Sequence, residues 1–183
     1  LALCSCGGEK QQNCTLTESG LNPEKFVKEF DGKKTALYTL TNKNGVEVCI
    51  TNLGGRIASI MVPGKDGVKR DVVLGFDNVD DYKNISSDFG ACIGRYANRI
   101  GDGKFTLDGN EYTLPVNCGP NHLHGGPGAM HSKVWESREN EGGVEFLYYS
   151  EDGEMGYPGA LKAVARYEWT DENELRLTLT AEA

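Results

Sequence analysis

Apolar residues in this chain fall at every second position, in short runs closed by glycine or proline. Val46, Val48 and Ile50 alternate with Glu47 and Cys49. The pattern returns at Val144, Phe146 and Tyr148, at Leu161, Ala163, Ala165 and Tyr167, and at Leu175, Leu177, Leu179 and Ala181. A period of two sends alternate side chains to opposite faces, so these segments are predicted as strands with one buried face. With 24 glycines and 6 prolines spread along the chain, long helices have little room. The best-defined unit joins Lys104-Phe105-Thr106-Leu107 to Glu111-Tyr112-Thr113-Leu114 through Asp108-Gly109-Asn110, because Asp-Gly suits a tight turn between alternating arms. Ile57 to Val62 predicts another strand, Pro63-Gly64-Lys65-Asp66-Gly67 a turn, and Val72-Val73-Leu74 a return to extended structure. Leu21 to Phe30 has helix-like spacing stopped by Gly32, which leaves a short helix or a loop open, and Asn78 to Asn84 is predicted to make one helical turn. The expected fold class is all-β.

A chain of 183 residues with 38% hydrophobic content supports one domain with a core. Residues 1–20 read as a signal remnant and polar tail, and 21–183 as the folded domain. Lys plus Arg number 19 against 27 Asp plus Glu, a net charge of −8, so nothing here neutralises a phosphate backbone and nucleic acid is not an expected partner. No apolar run reaches the length of a membrane span. The opening Leu3-Cys4-Ser5-Cys6 resembles a bacterial lipobox, which makes Cys6 the expected lipidation site, with Cys4 as second candidate. The expected location is then the bacterial cell envelope or periplasm, with a lipid as the sole membrane attachment; without the lipobox it is the cytoplasm. Two glycosylation sequons, Asn13-Cys14-Thr15 and Asn84-Ile85-Ser86, have meaning only in a eukaryotic secretory context, against which the lipobox argues.

Six cysteines at 4, 6, 14, 49, 92 and 118 form no C-x-x-C pair, so neither a zinc ribbon nor a disulfide framework is predicted. Cys118, His122 and His124 have turn spacing that would suit three metal ligands, but no fourth partner follows and no metal is expected. G-x-S-x-G, H-E-x-x-H, the P-loop pattern and a strand-linked G-x-G-x-x-G are all missing. What stands out is Gly94-Arg95-Tyr96-Ala97-Asn98-Arg99-Ile100 and, beyond the hairpin, Asn121-His122-Leu123-His124-Gly125-Gly126. Asn and Arg supply planar donors suited to hydroxyl groups, and paired glycines let backbone and imidazole approach a ligand closely, which suits a sugar better than an apolar ligand. Structural roles compete with this reading. Arg95 and Arg99 would serve as sheet-face charges or partners of Asp102 or Asp108, His122 as a turn cap, and His131 as a surface residue.

These two segments, the Gly103 to Leu114 hairpin, and Asp152-Gly153-Glu154-Met155-Gly156-Tyr157-Pro158-Gly159 together resemble the aldose 1-epimerase (galactose mutarotase) family in order and spacing. Asn52-Leu53-Gly54-Gly55 and Leu74-Gly75-Phe76 extend the resemblance upstream, so that it covers roughly residues 35 to 183. It implies an antiparallel β-sandwich, often called a supersandwich, with a hexose (galactose or glucose) in an open cleft and no cofactor. It assigns sugar contacts to Asn98, Arg99 and His124, and gives Arg99 and His124 supporting roles in stabilising charge as the ring opens. The implied mechanism is general acid–base: a carboxylate takes the anomeric hydroxyl proton, an imidazolium protonates the ring oxygen, and the open aldehyde recloses as the other anomer. The family's acid His and base Glu fall beyond Ala183, so the chain is expected to be an N-terminal portion that is inactive alone. A non-catalytic carbohydrate-binding lipoprotein domain of the same fold is the alternative. An epimerase for phosphorylated hexoses would need more cationic side chains at the cleft mouth.

Overall fold

Alternation in the sequence becomes pairing in space. In the computed structural model, which describes residues 15–183, a single 3-10 turn at Pro23–Phe26 leads to a hairpin of β1 (Glu29–Phe30) and β2 (Lys33–Lys34). The segment with helix-like spacing is thus one turn of helix followed by a strand. A four-stranded antiparallel sheet follows, formed in sequence order by β3 (Leu37–Thr41), β4 (Glu47–Thr51), β5 (Arg56–Pro63) and β6 (Lys69–Asp71). After α1 (Val79–Asn84), the chain makes β7 (Arg99–Ile100), the hairpin β8 (Lys104–Leu107) and β9 (Asn110–Thr113), and β10 (His122–Leu123). The second four-stranded antiparallel sheet is β11 (Glu136–Asn140), β12 (Gly143–Ser150), β13 (Leu161–Trp169) and β14 (Leu175–Glu182), again in sequence order.

The apolar faces of the two sheets share one core. Val46, Val48 and Ile50 of one sheet cluster with Val144, Phe146, Ala165 and Tyr167 of the other, all nearly or fully buried. An indole locks the pairing, since Trp169 donates its Nε1 hydrogen to the Val46 carbonyl across the sandwich at 2.8 Å. Every residue of β4 is buried, because a second cluster covers its other face. Leu21 and Phe26 from the N-terminal segment and Val79 and Tyr82 from α1 join Cys49 there. Burial pushes the Cys49 thiol up to about 12 and also raises that of Cys92, which disfavours the thiolate at both. Residue 18 is attached to the sandwich as well, through Glu18 N–H to Glu47 Oε1 at 2.8 Å and its carboxylate to Lys69 Nζ at 2.6 Å.

One predicted strand is displaced. Lys69–Asp71 pairs with β5, while Val72 and Leu74 are exposed at 62% and 74%. The Asp71 carboxylate accepts from the backbone of both Ile60 and Val73 at 3.0 Å, and a last main-chain bond from Val72 N–H to the Ile60 carbonyl at 3.1 Å closes the pairing. On β14, Leu175 packs against the core, whereas Leu177 and Leu179 are exposed.

Candidate functional site

The two segments singled out in the sequence meet in a short antiparallel ladder, with Ile100 opposite His122 and Arg99 opposite Leu123. Where the ladder ends, Asn98 and His124 both take left-handed backbone angles, φ 65° and 52°. Each then binds the other. His124 N–H donates to the Asn98 carbonyl at 3.0 Å, and Asn98 N–H donates to His124 Nδ1 at 3.0 Å. Arg99 Nη1 donates to Asn98 Oδ1 at 3.0 Å, and its Nη2 lies 3.7 Å from Cys118 Sγ. Asn117 holds the intervening Leu123 through both its backbone groups. Asn98 and Arg99 are exposed and His124 is half-buried, so amide, guanidinium and imidazole sit together at one accessible edge. Beside Arg99 opens a cleft of about 460 Å³, lined also by Tyr96, Ile100, Phe105, Leu107 and Tyr157.

Arg95 is a fastener and has no carboxylate partner in Asp102 or Asp108. Its five N–H groups go to Ser150 Oγ and to the carbonyls of Ser150, Glu151, Pro158 and Gly159, at 2.6 to 3.1 Å. Its guanidinium also lies 5.9 Å from the centre of the Tyr157 ring. Tyr157 donates its hydroxyl hydrogen to His122 Nε2 at 2.8 Å, and His122 Nδ1 faces the Pro115 carbonyl at 2.7 Å. Burial pushes the Tyr157 phenol up to about 12, which keeps it protonated for this bond. The Asp152 to Gly159 segment therefore acts as a buttress, joined to the Asn98–Arg99 loop through Arg95 and to the histidine segment through Tyr157.

The aldose 1-epimerase family profile matches residues 36–183. This chain belongs to the aldose 1-epimerase family. It is 38% identical over 152 residues to the aldose 1-epimerase of Escherichia coli K12, covering 82% of this chain and 44% of that protein. It is 45% identical over 138 residues to galactose mutarotase of Bos taurus, covering 75% and 40%. Among solved structures, the aldose epimerase homologue from C. elegans superposes with a TM-score of 0.78 at 32% identity, covering 81% of this chain and 46% of that one. Galactose 1-epimerase from Lactobacillus acidophilus gives 0.75 at 30% identity, covering 85% and 46%. The chain thus spans less than half the length of these aldose 1-epimerase relatives, and its two antiparallel sheets are those of the galactose mutarotase-like sandwich.

Within this aldose 1-epimerase fold, His122 and Glu154 are already engaged. His122 is fully buried with both ring nitrogens bonded, so it is a structural link rather than a turn cap, and it has no nitrogen left for a metal ion shared with Cys118 and His124. Glu154 accepts from the Tyr148 hydroxyl at 2.5 Å and from the Ser150 hydroxyl, with Lys133 Nζ 3.8 Å away.

His131 departs from its expected surface position. Its side chain is 19% exposed and lies 3.8 Å from Asp88. Its main-chain carbonyl accepts from the buried Arg56 at 2.7 Å. Burial holds the His131 imidazole below its ordinary value of 6.5, and the Asp88 charge only partly offsets this. With the folded value depressed, the unfolded chain takes up the proton first. The stability contributed above 6.5 is therefore lost as pH falls through 6.5 toward the folded value. Thermal midpoints measured from about pH 7 to about pH 5 should fall further for the native chain than for His131→Gln. Equal slopes would remove His131 as the source.

Proposed function

We propose that this chain supplies the sugar-holding part of an enzyme that interconverts the α and β anomers of a hexose, galactose or glucose, by acid–base ring opening and reclosure. The observation that carries this reading is the joining of Asn98, Arg99 and His124 at the accessible end of one ladder, beside an open cleft. Planar amide and guanidinium donors meet vicinal hydroxyls, and an imidazole N–H and a guanidinium both gain interaction energy as negative charge grows on a sugar oxygen. Ring opening also needs a base at the anomeric hydroxyl and an acid at the ring oxygen. We assign those two roles to groups outside the described residues, a reading supported by the engagement of His122 and Glu154 and by the position of His131 against Asp88.

Polarimetry of freshly dissolved α-galactose tests this, using the protein extended to the length of its relatives. Rapid approach to anomeric equilibrium is expected. Sugar binding without acceleration would instead favour a non-catalytic carbohydrate-binding domain. We also propose that Cys6, which lies outside the described residues, carries a lipid that places the protein in the bacterial cell envelope. An unmodified Cys6 peptide, in mass spectra of the protein made with its leader in a bacterial host, would exclude that anchor.

A further inference from the structure

We infer that the backbone N–H of Asn98 is a positioning group that selects, for the neutral His124 ring, the tautomer with its hydrogen on Nε2, so that His124 offers a hydrogen-bond donor to a sugar oxygen. The inference deepens the proposed function, since it specifies what one residue of that site offers a sugar oxygen.

A backbone N–H can only donate, and Asn98 N lies 3.0 Å from His124 Nδ1. That nitrogen must therefore present its lone pair, and the neutral ring carries its hydrogen on Nε2. The contact is not incidental to a mobile ring. The reciprocal bond from His124 N–H to the Asn98 carbonyl, and the left-handed backbone at both residues, close the two loops onto each other. Among the described residues Nε2 has no hydrogen-bond partner, and the half-buried ring leaves it accessible.

His122, two positions earlier, shows the opposite arrangement. The Pro115 carbonyl can only accept, so His122 Nδ1 carries the hydrogen, and Nε2 receives the Tyr157 hydroxyl. One short segment thus holds two imidazoles in opposite tautomers, one closed on both sides and one with a free donor. The chemical consequence concerns His124. Protonating Nδ1 would set an N–H against the Asn98 N–H and break the bond that orients the ring. A neutral Nε2–H avoids this and still strengthens its bond as the sugar oxygen gains charge.

Long-range proton–nitrogen correlation of the imidazoles in the 15N-labelled 183-residue chain at neutral pH reads the tautomers directly. The expected spectrum has His124 protonated on Nε2 and bare on Nδ1, with His122 reversed as an internal control. A proton on His124 Nδ1, in either the other tautomer or an imidazolium, overturns the inference. Galactose should then shift His124 Nε2 without changing the tautomer. An unchanged tautomer with no galactose response would count against the sugar site while leaving the tautomer assignment standing. In the extended protein, His124→Gln, which keeps a donor but cannot titrate, should be about tenfold faster than His124→Ala. Equal rates for the two variants would contradict a donor role.

Discussion

Arg99→Ala and His124→Ala are each expected to lower kcat/KM for mutarotation by about 10²-fold or more in the protein extended to its relatives' length, the scale of losing one positioned charge-stabilising group. Arg99 is exposed and His124 half-buried, so neither substitution empties the core, and folding should survive both. The guanidinium and the Nε2 hydrogen are the groups lost, and under the proposed function both respond to charge developing on a sugar oxygen. His122→Ala should behave differently. It leaves the Tyr157 hydroxyl without its partner in a buried setting, at roughly 1–3 kcal/mol, and also removes the bond to the carbonyl of the exposed Pro115. Its main effect is therefore on stability, with a smaller effect on turnover of the folded fraction. Polarimetry, with denaturant unfolding on the same preparations, separates the two. Near-native turnover in His124→Ala would remove that residue from the site.

Gly125→Ala should disrupt the site more severely than any single functional side-chain truncation. Gly125 has φ 83°, and a Cβ there would sit 1.9 Å from the Gly94 carbonyl oxygen and 2.9 Å from Arg95 N. The backbone conformation alone costs an L-residue about 1–2 kcal/mol. The clash is with main chain rather than a flexible side-chain end, so the Gly94–Arg95 segment must move. Arg95 anchors that segment with five hydrogen bonds, and the displacement therefore strains the attachment that positions Asn98 and Arg99. The expected result is destabilisation of more than about 2 kcal/mol, together with loss of galactose binding. A variant with native stability and binding would show that the two loops are not held this tightly.

What the sequence revealed depended on whether the controlling interaction was local. The β8–β9 hairpin was legible because Asp108 and Gly109, at φ 50° and 80°, make the turn that Asp-Gly favours, with Leu107 facing Asn110. The buried faces of β12 and β13 followed from strict alternation, since Val144, Phe146, Ala165 and Tyr167 all point into the core. Strand β11 carried no such signal: Glu136–Asn140 is exposed throughout and pairs through its backbone at a sheet edge. Asn98, Arg99 and His124 could be named from their motifs. Their support could not. Arg95 reaches carbonyls more than fifty residues away, and its role emerges only when β12 and the Pro158–Gly159 turn come into place. The setting of His131 likewise depends on Gly54 and Arg56, distant in sequence, which lie against its backbone and bond its main-chain carbonyl.

The most direct test of the central claim is polarimetry of α-galactose with residues 1–183 alone, referenced to buffer. The account assigns these residues the platform that holds the sugar and assigns the acid and base to groups outside those described, so it predicts the buffer rate. Enzyme-level acceleration by this chain would contradict it and place a working acid–base pair within residues 1–183.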